Sequence, residues 1–244
     1  MTALYDRIGD GYSTLRRPDP RIAATVAHAL GDACSVVNVG AGTGSYEPGG
    51  TVLAVEPSAR MIAQRPQGGA PAVQAVAAAL PLAAGAVDAT LAVLTTHHWP
   101  DVAAGLAELA RVSRRQVVLT FDLQAMQQMW LFDYLPESVF REAEATALQD
   151  VLTAWPEAEV RPLPVPADCA DGFLCAYWRR PRAYLDPSVR AAISTFALVP
   201  DDVLAPALHR LAGDLADGTW QSRYGGLLAL DEMDCGYRLV VRGQ

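Results

Sequence analysis

Apolar residues fall into short unbroken runs separated by stretches with a helical period, the alternation expected of an α/β fold. Val36–Val39, Thr51–Val55, Ala72–Val76, Val87–Thr95 and Gln116–Phe121 read as strands. The run from Val87 is nearly all apolar, as a strand covered on both faces must be. Between these lie Arg21–Leu30 with a helical apolar period, a helix over Ser58–Gln64 capped by Ser58, and an amphipathic helix over Asp101–Val112 capped by Asp101. Beyond Asp122 the pattern predicts a helix from about Phe140 to Trp155 and a short strand over Glu159–Pro164. A non-periodic stretch over Pro166–Arg182 follows, then helical patches at Pro187–Phe196 and Asp201–Ala216. Cys235–Val241 closes the chain as a β edge.

These elements imply a single domain over 1–244, a Rossmann-like, doubly wound, mostly parallel seven-stranded sheet. An N-terminal flap and packing helix occupy 1–30. A helical cap insertion over 166–234 is expected across the carboxyl ends of the strands, where ligands sit in such sheets.

The first strand breaks into Gly40-Ala-Gly-Thr-Gly44, and the second ends in Glu56. Glycine at alternate positions permits positive φ and close approach of backbone to a ligand. Two ligand classes use such a turn: dinucleotides, with G-x-G-x-x-G, and S-adenosylmethionine, with a looser G-x-G-x-G. Ser45 stands where a dinucleotide fold keeps its third glycine, so the spacing leans toward S-adenosylmethionine. Glu56 suits the ribose hydroxyls in either case. Residues 35–122 form the expected cofactor-binding core.

Composition narrows the field further. The chain has 244 residues, enough for a sizeable core without metal or disulfide. Net charge is -8, which lacks the field that nucleic acid or anionic membrane needs. All 19 basic residues are arginine, which excludes a Schiff-base lysine, a Walker A lysine and a Tyr-Lys dehydrogenase pair. Cys34, Cys169, Cys175 and Cys235 show no CxxC and read as reduced, buried small residues, with no metal site. No signal pattern or apolar span stands out, so a cytoplasmic protein acting on a small molecule is expected, monomeric or homodimeric, without nucleic-acid or membrane partners.

Four segments in order carry a resemblance: Val37–Gly44, Val55-Glu-Pro-Ser58 with Met61, Leu80–Asp88, and Leu94-Thr-Thr-His-His-Trp-Pro-Asp101. They resemble the class I S-adenosylmethionine-dependent methyltransferases, small-molecule branch, related to the ubiquinone and menaquinone biosynthetic enzymes. The resemblance implies a transferase with S-adenosyl-L-methionine as cofactor. It places the methionyl part on Gly40, Gly42 and Gly44, the ribose on Glu56, and the adenine between Pro57 or Met61 and the loop starting at Ala77. Residues just after the fourth strand would face the reacting methyl group, with Thr95, its last residue, as a cofactor contact. Two departures stand out: Asn38 replaces the usual acid before the glycines, keeping only a carbonyl for the cofactor's ammonium, and Val76–Ala79 offers adenine only backbone. Tyr5, Tyr12 and Arg16 could close over the cofactor, Arg16 pairing its carboxylate.

His97 and His98 end the fourth strand, and alternation lets only one point into the cleft. His97 is taken as the base, with a near-neutral pKa suited to removing the acceptor's proton, and His98 and Trp99 as substrate contacts that pack toward the cofactor. Trp130, Phe173 and Tyr177 are the expected aromatic substrate contacts. The expected activity is methyl transfer to O, N or C of a small organic acceptor, within secondary metabolism. Alternatives are a methyltransferase-like scaffold that binds cofactor without transferring methyl, as a cyclase or regulatory subunit, and a nicotinamide-dependent oxidoreductase.

Overall fold

Side chains of the central strands alternate between two apolar layers, which is why their sequences are apolar at consecutive positions. The computed structural model describes residues 16–135, 147–197 and 199–243. Its strands are β1 (Val36–Val39), β2 (Thr51–Val55), β3 (Ala72–Val73), β4 (Val87–Val93), β5 (Ser113–Phe121), β6 (Glu159–Pro162), β7 (Val165–Pro166), β8 (Glu232–Met233) and β9 (Tyr237–Arg242). Seven form one sheet in the order β3-β2-β1-β4-β5-β9-β6. Pairs among β1 to β5 are parallel, and β9 runs antiparallel to both β5 and β6.

Val36, Leu91, Leu119, Phe121 and Leu239 point into one layer; Val37, Ala92, Val118 and Val240 point into the other. On the first face α1 (Pro20–Ala29) buries Ile22 and Val26. α2 (Ala59–Ala63) is one short turn, started by Ser58, whose hydroxyl accepts from the Met61 amide. α3 (Val102–Val112) is capped by Asp101 and buries Leu106 and Leu109 on the second face. After β5, α4 (Leu123–Met126) is capped by Asp122. α5 (Ala147–Ala154) joins the second face through Val151.

The closing strand is not the edge that its position in the chain suggests. β9 lies between β5 and β6, with Leu239 and Val240 fully buried. The edge is β6, whose Pro162 cannot donate to a ladder and whose Glu159 and Val160 face solvent. An uninterrupted Leu-Val-Val run is the mark of an inner strand, so both assignments were written in the residues. Cys34 is also exposed rather than buried, in the turn ahead of β1.

Between β6 and β9 the chain leaves through β7 and returns through β8, which pair antiparallel. The excursion carries α6 (Pro187–Ala191), α7 (Ser194–Ala197), α8 (Asp201–Asp217) and α9 (Thr219–Tyr224). It packs on aromatic residues from the segment after β5: Trp130 meets Tyr134 of that segment and Tyr184 and Trp220 of the excursion edge-on. Two of their polar ends find partners, Trp130 Nε1 donating to the Trp178 carbonyl at 2.7 Å and Tyr184 Oη to the Leu174 carbonyl at 2.7 Å, while Trp220 Nε1 is buried with none among the described residues. Phe173 anchors the excursion above the sheet, 4.8 Å from the Tyr237 ring, and Tyr237 sits opposite Phe121, the last residue of β5.

Two glycines make opposite predictions. Gly236, at φ 86° before β9, would bring a Cβ within 2.6 Å of the Met126 amide nitrogen, so Gly236→Ala should lose at least about 2 kcal/mol. Gly213 lies inside α8 with open space around it, so Gly213→Ala should gain about 0.5–1 kcal/mol. Urea midpoints moving in opposite directions are the expected result.

Candidate active site

The turn after β1 is left-handed at four places, with φ of 69° at Gly40, 52° at Gly42, 97° at Gly44 and 60° at Tyr46. Three are glycines because the conformation costs them little. Gly40 has a second reason: a Cβ there would lie 2.1 Å from Thr95 Oγ1. The glycine thus admits Thr95 from the neighbouring strand end, as well as the ligand that the sequence suggested. Gly42 faces the Met61 methyl and Gly44 the Arg65 guanidinium, at 3.5 and 3.3 Å from the missing Cβ.

Glu56 holds this turn against the end of β2. Its Oε2 accepts from the Gly42 amide at 2.8 Å and its Oε1 from the Ser58 amide at 2.9 Å. The amides of Gly40 and Ala41 both reach the Val55 carbonyl. A cleft opens beside the turn. Arg16, Asn38, Gly40, Gly42, Met61 and Thr95, all expected from sequence, line it. Tyr46, Val93 and Leu94 line it too. Leu94 has φ 49°, a strained conformation for a branched residue at the end of a strand.

The other expected contacts are more dispersed. Tyr12, like Tyr5, lies outside the described residues. Pro57 is exposed, its carbonyl accepting from Gln74 Nε2. Ala77 is buried and meets Trp99 across Gly105 of α3, where a Cβ would lie 2.4 Å from the indole. Trp99 therefore sits on the side expected for adenine, away from the aromatic residues of the excursion. Trp130 and Tyr177 belong to the core of that excursion, both next to Tyr184. Phe173 alone of the three connects toward His97, through Tyr237 and Phe121.

His97 and His98 form a single 3₁₀ turn with Thr96, not the last residues of β4, so strand alternation does not sort them. Their rings are 3.9 Å apart, and His97 lies edge-on to Phe121 at 5.1 Å. His97 Nδ1 is enclosed and has no hydrogen-bond partner among the described residues. Burial pushes the His97 pKa well below its ordinary value, with a smaller contribution from His98; burial also lowers His98, to about 4. Both imidazoles are neutral at physiological pH, and the near-neutral pKa expected of His97 gives way to a depressed one because burial disfavours the charged ring.

Two acids that the sequence did not single out complete the site. Asp171, fully buried on the excursion, accepts from Arg16 Nε at 2.7 Å and from the Tyr46 hydroxyl at 2.9 Å. Arg16 therefore enters the cleft already paired with Asp171. Glu47 pairs with Arg65 at 2.7 Å and accepts from Asn38 Nδ2 at 3.2 Å. Neither acid is near its partners in sequence, so only the fold could reveal them. No group of three histidine, cysteine or acidic side chains suited to a metal occurs among the described residues, and none of their helices is long and apolar enough to cross a membrane.

Comparisons with known proteins agree with this geometry. The methyltransferase-domain family profile matches residues 37–121, from β1 to the end of β5. A crystal structure of a candidate methyltransferase from an antibiotic biosynthesis pathway of Anabaena variabilis is 32% identical. The alignment covers 94% of this chain and 99% of that one, with a TM-score of 0.86. Two further structures share the fold alone. A candidate type II methyltransferase from Anaeromyxobacter dehalogenans is 18% identical, covering 93% and 96% of the two chains at TM-score 0.51. The cyclase SpnF is 14% identical, covering 99% and 93% at TM-score 0.52. A search of curated proteins gives no significant match.

The chain belongs to the class I S-adenosylmethionine-dependent methyltransferases. Its cofactor is S-adenosyl-L-methionine. The cleft has the chemistry to take that molecule: a left-handed glycine turn, an amide at Asn38, a guanidinium at Arg16 and the Met61 side chain.

The histidine pair makes acid stability a direct readout. The unfolded chain takes up protons near the ordinary histidine value of about 6.5, while folded His98 resists until about 4. Stability from neutral histidines is thus complete above pH 6.5 and declines as pH falls toward 4. The melting temperature should drop through that window, and drop less between pH 6.5 and 5 in a His97→Gln/His98→Gln variant.

Proposed function

We propose that this protein transfers the methyl group of S-adenosylmethionine to oxygen, nitrogen or carbon of a small organic acceptor, with His97 as the general base. The observation that carries the base is the enclosed, unpartnered Nδ1 of His97, two residues beyond Thr95 of the cleft. A buried acceptor atom lacking a partner is costly, and an acceptor molecule's O–H, N–H or acidic C–H would supply one.

The cofactor, when bound, supplies a methyl group on a positively charged sulfur, which an acceptor displaces in line. This chain's part is to position and to take a proton. Gly40, Gly42, Gly44 and Asn38 would hold the methionyl part, Arg16 its carboxylate, Glu56 the ribose, and Pro57, Met61 and Ala77 the adenine, with Thr95 beside the reacting end. Neutral His97 would take the acceptor's proton as the acceptor displaced the sulfur from the methyl group, which leaves S-adenosylhomocysteine as the spent product. Positioning would provide most of the rate, because a held near-attack geometry removes translational and rotational cost. His98 and Phe173 would bound the acceptor; Trp130 and Tyr177 would act through the packing of the excursion over 166–234.

The Anabaena relative's link to an antibiotic pathway supports an acceptor from secondary metabolism. Phe121, edge-on to the buried His97 ring, supports an acceptor with an apolar or aromatic body. Incubation with labelled S-adenosylmethionine and a panel of phenolic, amino and acidic-carbon acceptors should yield a labelled product. With that acceptor, His97→Gln should lower kcat by about 100-fold or more while leaving S-adenosylhomocysteine affinity within about threefold. Unchanged kcat removes His97 from the chemistry; cofactor binding with no methyl loss to any acceptor favours a scaffold role.

A further inference from the structure

Asn38 occupies the position at which a carboxylate would ordinarily meet the cofactor's ammonium. An amide can present either its carbonyl or its NH2 to the cleft, and only the carbonyl accepts from an ammonium. Glu47 decides which. Its Oε2 lies 3.2 Å from the Asn38 amide end, and a carboxylate can only accept, so the NH2 of Asn38 must face it. The carbonyl is left on the other side. Asn38 lines the cleft, and no donor among the described residues meets its Oδ1.

Glu47 is itself firmly held. Arg65 Nη2 donates to both carboxylate oxygens at 2.7 Å, and the Ala70 amide reaches Oε1 at 3.2 Å. Both side chains of this ion pair are nearly buried, at 10% and 6% exposure. The guanidinium balances the charge of Glu47 while leaving its oxygen available to Asn38. Tyr46, the residue before Glu47, takes a left-handed φ of 60°, which turns the chain back across the glycine turn.

We propose that Glu47 is a positioning residue for cofactor recognition: it fixes the Asn38 amide so that its carbonyl, and not its NH2, is presented to the cofactor's ammonium. This rests on the reading of Asn38 as a cofactor contact. The acid missing from position 38 is then not lost to the site. It sits nine residues later, one hydrogen bond behind the amide, and acts through orientation rather than charge.

Calorimetric binding of S-adenosylhomocysteine and of its deamino analogue, which keeps the carboxylate but lacks the ammonium, separates this role from general support. Asn38→Ala should weaken S-adenosylhomocysteine about tenfold and the analogue little. Equal effects on both ligands would overturn the placement of Asn38 itself. Glu47→Leu/Arg65→Leu, which removes the buried pair together and leaves no orphaned charge, should give the same selective tenfold loss. Asn38→Ala selective with the double variant unselective would leave the site reading standing and overturn the role of Glu47. Glu47→Gln, whose side-chain carbonyl can still accept from Asn38, should keep selectivity; its failure to do so would also overturn the proposal. A readout independent of the double variant's folding comes from Asn38→Asp. Placed against Glu47, the new carboxylate should titrate at raised pH, making S-adenosylhomocysteine affinity pH-dependent between about 5 and 8, and Glu47→Gln should abolish that dependence. A pH-independent Asn38→Asp would contradict the contact.

Discussion

The site depends on a backbone forced into the left-handed region immediately after the first strand and tied down there by one carboxylate. Gly40, Gly42 and Gly44 supply the conformation; Glu56 supplies the tie, accepting from the Gly42 amide. Because β1 and β2 are hydrogen-bonded neighbours, the acid that ends one reaches the turn that ends the other. Local conformational freedom would otherwise leave a glycine-rich loop without a defined shape, at an entropic cost to any ligand. The Val55 carbonyl, accepting from Gly40 and Ala41, removes more of that freedom.

The rest of the site is built outward from this turn. Thr95 packs where Gly40 has no side chain, which brings the end of β4 and the histidine turn beside the cleft. Tyr46 reaches from the turn to Asp171, so the excursion between β6 and β9 is attached directly to the cofactor side of the site. Arg16 joins the same carboxylate, and Asp19, capping α1, takes the Ala170 amide. Cofactor cleft, N-terminal segment and excursion thus share one buried polar junction. Such a junction favours a single arrangement, since each of its groups is costly to leave unpaired. A change in the excursion can therefore reach the glycine turn through Asp171 and Tyr46.

Much of the core was readable from the residues, and what escaped shares a cause. Strands β1, β2 and β4, the caps Ser58 and Asp101, and the glycine turn follow from local rules of period, capping and backbone freedom, which need no neighbours. Ala72–Val76 shrank to two paired residues because a sheet edge offers partners on one side only. Asp171 and Glu47 went unnoticed because their partners lie 155 and 125 residues away for one, and nine and 18 for the other, in loops whose paths the local pattern does not set. The aromatic residues packed in and against the excursion escaped for the same reason, because their surroundings are set by the fold and not by the local pattern. Trp130 and Tyr177 have the composition of a pocket wall, yet Trp130 is buried with its indole donor satisfied, and composition alone does not separate a wall from a core.

The central claim is that the glycine turn and its carboxylate form the binding site for an adenosyl sulfonium donor and its spent product. Titration calorimetry of the unaltered chain and of Gly40→Ala with S-adenosylhomocysteine tests it most directly. The account predicts saturable binding of one molecule per chain, strongly weakened when a side chain is placed at Gly40 against Thr95. Absence of binding by the unaltered chain, or equal affinity in the two proteins, would contradict it.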